Sequence, residues 1–119
     1  MRVLLIDDTP ETAELLTFAL RDLGHEVFAA GYTDTVNELV SEHRSDALVL
    51  NCTAFDMSES LFDIVRQHPS HAELPVAIIT DTPELADPSL RARKASKVLV
   101  IPKPFTASQV ARTLDQLAG

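Results

Sequence analysis

Val3-Leu4-Leu5-Ile6-Asp7-Asp8-Thr9-Pro10 decides the fold. An unbroken apolar run that stops at two carboxylates reads as a strand buried on both faces, because a half-exposed strand would alternate. Thr9 and Pro10 then supply an N-cap and a first-turn proline. Leu15, Leu16, Ala19, Leu20 and Leu23 follow at helical spacing, and Gly24 stands where a C′ glycine is expected. The same strand-then-helix unit recurs along the chain. Glu26 to Ala30 reads as a second strand, and Thr33 opens a helix carrying Val36, Leu39 and Val40. Ala47-Leu48-Val49-Leu50 is a buried run ending at Asn51. Ser58 caps a third helix with Leu61, Phe62, Ile64 and Val65, stopped by His68-Pro69. Pro75 to Thr80 makes a fourth strand. Asp87 and Pro88 open a short helix from about Pro88 to Ala95. Val98 to Ile101 is the fifth strand, leading into Pro102-Lys103-Pro104-Phe105. The last helix starts with a Thr106/Gln109 capping box, with Phe105 and Val110 at the positions of a hydrophobic staple.

Five apolar strands alternating with five amphipathic helices predict a parallel sheet with helices on both faces, one domain over residues 1–119. In such sheets chemistry gathers at the carboxyl ends of the strands. Here those ends hold Asp7 with Asp8, Asn51, Thr80 with Asp81, and Lys103.

Composition excludes several classes. At 45% hydrophobic and 24% charged residues the chain is ordinarily globular. Ten basic against 18 acidic residues give a net charge of −8, which argues against nucleic acid or an anionic membrane as partner. No apolar run approaches the roughly 20 residues of a membrane span, and the amino terminus has no signal-peptide core. The single cysteine, Cys52, cannot pair within the chain and is expected to be a small buried apolar residue. His25, His43, His68 and His71 lack metal-ligand spacing and are expected on the solvated surface. A cytoplasmic protein is the expectation.

The strand-end residues carry a resemblance. Leu5-Ile6-Asp7-Asp8, Asp46-Ala47-Leu48-Val49-Leu50-Asn51, Pro75-Val76-Ala77-Ile78-Ile79-Thr80 and Ile101-Pro102-Lys103-Pro104-Phe105 occur in an order and spacing that resembles the receiver domain of two-component response regulators. The resemblance implies a flavodoxin-like (βα)5 doubly wound sheet in the order 2-1-3-4-5. It implies Asp8 as a direct Mg²⁺ ligand, Asp7 acting through water, Thr80 as the switch hydroxyl, and Lys103 as the cation of the acidic cluster. It also implies a cis peptide bond before Pro104.

At the phosphoacceptor position the pattern fails, because Asn51 stands where an aspartate should be. An ionised carboxylate is the nucleophile that attacks phosphorus, and an amide oxygen carries no full charge. Asp46 lies at the other end of that strand and Asp56 in the following loop, so neither substitutes. Other departures surround the same pocket. Phe55 and Glu59 replace a proline and a glycine, and Asp81 brings charge beside the switch hydroxyl. Val100 replaces the switch aromatic, and Ser96 replaces a glycine. Two unit charges about 4 Å apart interact by about 4 kcal/mol at an effective dielectric of 20, so losing the charge at position 51 weakens any Mg²⁺ site. Asp7, Asp8 and Lys103 are then expected to form an ion cluster without metal, bridged by Asn51.

The functional expectation is a non-enzymatic, phosphorylation-independent interaction module. The alternative is a phosphate-accepting receiver whose aspartate was changed to Asn51. A Mg²⁺-dependent phosphohydrolase is disfavoured because Asp7 and Asp8 are adjacent, not alternate, and no capping insertion is present. A flavin site is disfavoured because Asp-Asp-Thr-Pro-Glu would repel a phosphate. The resemblance implies an output surface on the fourth helix, fifth strand and fifth helix. That region carries Arg91, Arg93, Lys94, Lys97, Lys103 and Arg112, six of the ten basic residues, and suits an acidic protein partner or a homodimer. A merely solvated face is the plain alternative. With Gly119 directly after the last helix, the chain is expected to be a stand-alone module or one cut from a longer protein.

Overall fold

The computed structural model describes residues 1–118; Gly119 lies outside the described residues. Apolar runs with a two-residue side-chain period must serve two faces at once, and they do. The strands are β1 (Arg2–Asp7), β2 (Glu26–Ala30), β3 (Ala47–Asn51), β4 (Val76–Thr80) and β5 (Val98–Pro102). They form one parallel sheet in the order β2-β1-β3-β4-β5, the flavodoxin-like arrangement. Between them run α1 (Pro10–Asp22), α2 (Val36–Glu42), α3 (Phe55–Gln67), α4 (Pro83–Ala92) and α5 (Ala107–Ala118), with a short 3-10 turn at Pro69–His71. Leu4, Ile6, Leu48, Leu50, Val76 and Ile78 face α2, α3 and α4. Their neighbours Val3, Leu5, Val49, Ala77 and Ile79 face α1 and α5. Each strand position is thus committed to one of two cores, and a one-residue slip would exchange them.

Several helix boundaries differ from the sequence expectation. The second helix starts at Val36, after a turn in which Thr33 Oγ1 accepts the Thr35 N–H at 3.2 Å. α3 starts at Phe55, so Ser58 is a buried interior residue and no cap, and Asp56 is exposed in the first turn instead of in a loop. Phe55 is drawn into the core beside Ala86 and Leu90, which is what pulls the helix start forward. α4 begins at Pro83 and contains Pro88. The proline removes one hydrogen bond, to the exposed Glu84, while the one-turn pair Ala86 and Leu90 is buried. On α1 the inward residues are Leu16 and Leu20; Leu15 and Leu23 are exposed and do not join the core. Gly24 adopts φ +95° just past that helix, as a C′ glycine should. The Thr106/Gln109 capping box forms in both directions, at 2.7 and 3.1 Å.

His71 is not on the surface. It is 6% exposed, stacks on His68 and meets Asn37 Oδ1 at 2.7 Å through Nδ1. An amide oxygen only accepts, so Nδ1 carries the proton. Asn37 Nδ2 in turn donates to the Ile64 carbonyl at 3.1 Å, tying α2 to α3. Arg66 donates to the carbonyls of His71, Ser96 and Lys97 and lies over the Phe62 ring. No helix among the described residues is long and apolar enough to cross a membrane.

Candidate functional site

β1 and β3 pair in parallel with Asp7 directly opposite Asn51, so the ends of two central strands bring an acid and an amide together. Both are buried, at 4% and 3% exposure. Asn51 Nδ2 donates to Asp7 Oδ2 at 2.9 Å. The carboxylate accepts only, so the amide must turn its nitrogen toward it. Asp7 Oδ1 accepts the Thr9 N–H at 2.9 Å, the two-residue Asx turn that starts α1. Burial pushes the Asp7 carboxyl up from its ordinary value, and the Asp8 charge adds to that; the Thr9 and Asn51 bonds and Lys103 act in the other direction.

Asp8 is held by the next segment of chain. The Thr53 N–H is shared between its two oxygens at 3.0 and 3.1 Å, which pins the β3–α3 connection to the end of β1. Lys103 enters from the far side, at the end of β5 and just before a cis Lys103–Pro104 peptide bond. Its Nζ points to the Cys52 carbonyl at 3.4 Å. Among the described residues it makes no ion pair with Asp7 or Asp8, so the expected three-membered ion cluster does not form. Half of the expected bridge exists: Asn51 donates to a carboxylate, but its Oδ1 is buried without a partner. Leaving an acceptor unmet costs about 1–3 kcal/mol.

These groups line a polar cleft of about 170 Å³, walled by Asp7, Asp8, Thr12, Asn51, Thr53 and Lys103, with Phe105 at its edge. Thr80 and Asp81 are not among its lining residues. Thr80 is buried at the end of β4, and its Oγ1 accepts the Thr82 N–H at 3.0 Å. That bond turns the hydroxyl into the start of α4. Asp81 is exposed. Cys52 is buried as expected, and burial pushes its thiol up from the ordinary value, the direction that disfavours the nucleophilic thiolate. The contribution of Thr53 escaped the sequence reading because it acts through its backbone N–H. The Thr9 contact had a legible signal, an aspartate two residues before the Thr9 N-cap.

The class this defines is a flavodoxin-like sheet of the receiver type with an amide in its acidic corner. No protein-family model and no curated protein matches the sequence. Solved structures do match it over its whole length. A sensor protein from Polaromonas sp. JS666 superposes with a TM-score of 0.84 at 18% identity, covering 98% of this chain and 94% of that one. A putative response regulator from Chloroflexus aurantiacus gives 0.76 at 24% identity, covering 98% and 96%. The receiver domain of a sensor histidine kinase from Pseudomonas aeruginosa PAO1, which has a magnesium ion coordinated in its active-site cleft, gives 0.78 at 20% identity, covering 99% and 97%. The chain therefore has the receiver-domain fold.

Asp7 and Asp8 are the carboxylates that would hold a Mg²⁺ ion here, and the arrangement around them weakens such a site. Mg²⁺ needs a near-octahedral set of oxygens. Asn51 instead turns a hydrogen-bond donor toward the acidic pair, and both carboxylates are already engaged by N–H groups. Among the described residues no three His, Cys, Asp or Glu side chains converge as a metal group.

Proposed function

We propose that this chain is an atypical receiver-fold module that signals through protein contact, without accepting a phosphoryl group on residue 51 and without catalysing a reaction. The observation that carries this reading is the Asn51–Asp7 hydrogen bond. It fills the place of the phosphoryl chemistry with a neutral donor and holds the acidic corner without an ion. The departures at Phe55 and Asp81 support it, because these residues follow the carboxyl ends of β3 and β4, the end of the sheet that holds Asp7 and Asn51. Thr80, committed to the start of α4, supports it too.

The surface for that contact is α4, β5 and α5. Val98, Leu99 and Val100 are half-buried on an edge strand, and Arg91 and Lys94 stand beside them. An acidic protein partner suits such a surface. The second reading, a phosphate-accepting receiver altered at one position, draws on Lys103, which lines the same cleft as Asp7, Asp8 and Asn51. One experiment separates the two. The unaltered chain and Asn51→Asp are each incubated with a small phosphodonor and Mg²⁺ and followed by intact mass. The proposal expects no hydroxylamine-labile gain on either. Gain on the unaltered chain overturns it, and rapid gain on Asn51→Asp alone favours the second reading.

A further inference from the structure

Two exposed apolar features are left over by the strand-end site, and they carry opposite charge. On α1, Leu15 and Phe18 are 72% and 53% exposed, although the inward face of that helix is filled by Leu16 and Leu20. Glu11 and Glu14 share their stripe, since positions 11, 14, 15 and 18 fall on one helix face. Both glutamates are exposed, and neither is in an ion pair among the described residues. The second feature is a groove of about 430 Å³ between α4 and β5, with Leu90, Val98, Leu99 and Val100 along it and Arg91, Lys94 and the single acid Asp87 lining it too, a net positive balance. Neither of these cations is in an ion pair among the described residues.

We propose that a second copy of this chain seats its α1 ridge in the α4–β5 groove, with Glu11 and Glu14 of one copy facing Arg91 and Lys94 of the other. The occupant is a copy because both halves of the match lie on one molecule. A two-fold contact of ridge with ridge would gather four carboxylates, and groove with groove four cations against two Asp87 carboxylates; the crossed contact sets the acidic face against the net-positive one. α1 packs on one face of the sheet and α4 on the other, so each copy that uses its ridge keeps its groove free. The assembly is therefore head-to-tail and grows with concentration. This inference rests on the use of the α4–β5 surface under the proposed function, and not on the amide at position 51.

Sedimentation velocity of the full chain, from about 10 µM to about 1 mM near 0.15 M salt, reads it directly. The expected result is a weight-average mass that climbs past that of a dimer. Phe18→Ala, an exposed position whose folding is checked by circular dichroism, should weaken association about tenfold or more. Paired reversals, Glu11→Arg with Glu14→Arg or Arg91→Glu with Lys94→Glu, should each weaken it by about tenfold. Mixing the two reversed chains should restore it, since a basic ridge then meets an acidic groove. A monomer across the whole range overturns the inference. So does a dimer that fails on reversing Arg91 and Lys94 but ignores changes at Glu11, Glu14 and Phe18, which would mean a two-fold contact through α4, β5 and α5. Either result leaves the proposed function standing, whereas a phosphorylated native chain would sink that function and leave the assembly untouched.

Discussion

The corner at Asp7 and Asn51 and the knot at Asn37 and His71 both take polar groups out of water, but they complete their hydrogen bonding to different degrees. In the knot, Asn37 uses its oxygen on His71 and its nitrogen on Ile64, while Arg66 meets three carbonyls. In the corner, Asn51 spends its nitrogen on Asp7 and leaves its oxygen unmet, and Lys103 stays away from both acids. The knot ties α2 to α3 through Asn37 and ties α3 to the α4–β5 connection through Arg66. The corner keeps a shortfall where, in a receiver of the usual kind, an ion and a phosphoryl group would be accommodated.

The sharpest way to break this comparison is Asn51→Asp. It sets a second buried carboxylate against Asp7 and removes the donor between them, so folding stability near pH 7 without divalent ions should fall by about 2–3 kcal/mol. Urea unfolding measures it. A variant as stable as the parent would mean that the corner tolerates three acids and that Asn51 does not hold it. Asn37→Ala tests the other region. It strands the Ile64 carbonyl and the His71 N–H, and the loss should be about 1–2 kcal/mol, smaller because Asn37 is only half-buried.

The smallest expected effect is in pH dependence, where the two regions have opposite sign. Burial, then the charge of His68, lowers the His71 pKa below its ordinary 6.5. The neutral ring is favoured in the fold, so its stabilisation is complete above about pH 6.5 and is lost as pH falls through the lowered folded value. Asp7 behaves inversely. Its pKa is raised from 3.8, so its contribution is present below that value and is lost as pH rises through the folded one. Urea midpoints at pH 7.5 and pH 5.5 should differ by less than about 1 kcal/mol in stability, in favour of pH 7.5, and His71→Gln should flatten that difference. An unchanged slope in His71→Gln would remove this histidine from the account.

The sheet was legible because strands buried on both faces need continuous apolar runs, and Val3–Ile6, Ala47–Leu50 and Val76–Ile79 leave no other reading. The strand ends were legible for the same reason, since topology alone brings Asp7 beside Asn51. Helix starts were less so. Thr82-Pro83 repeats the Thr9-Pro10 signal and does open α4, while Asp87-Pro88 offers a second cap-and-proline pair within it, and the tertiary burial of Ala86 and Leu90 decides between them. His71 was misplaced because its burial depends on Asn37, 34 residues away. The directions of Thr80 and Lys103 depend on bonds to Thr82 and to the Cys52 carbonyl, which no side-chain pattern announces.

Because Asp8 takes its partner from the Thr53 backbone, the entrance to α3 is fastened by the chain's own main chain. Such a latch closes as soon as the polypeptide folds, since every copy carries both halves of it. Under the proposed function a cell would then govern the response by dosage, through how many copies are synthesised and how quickly they are degraded.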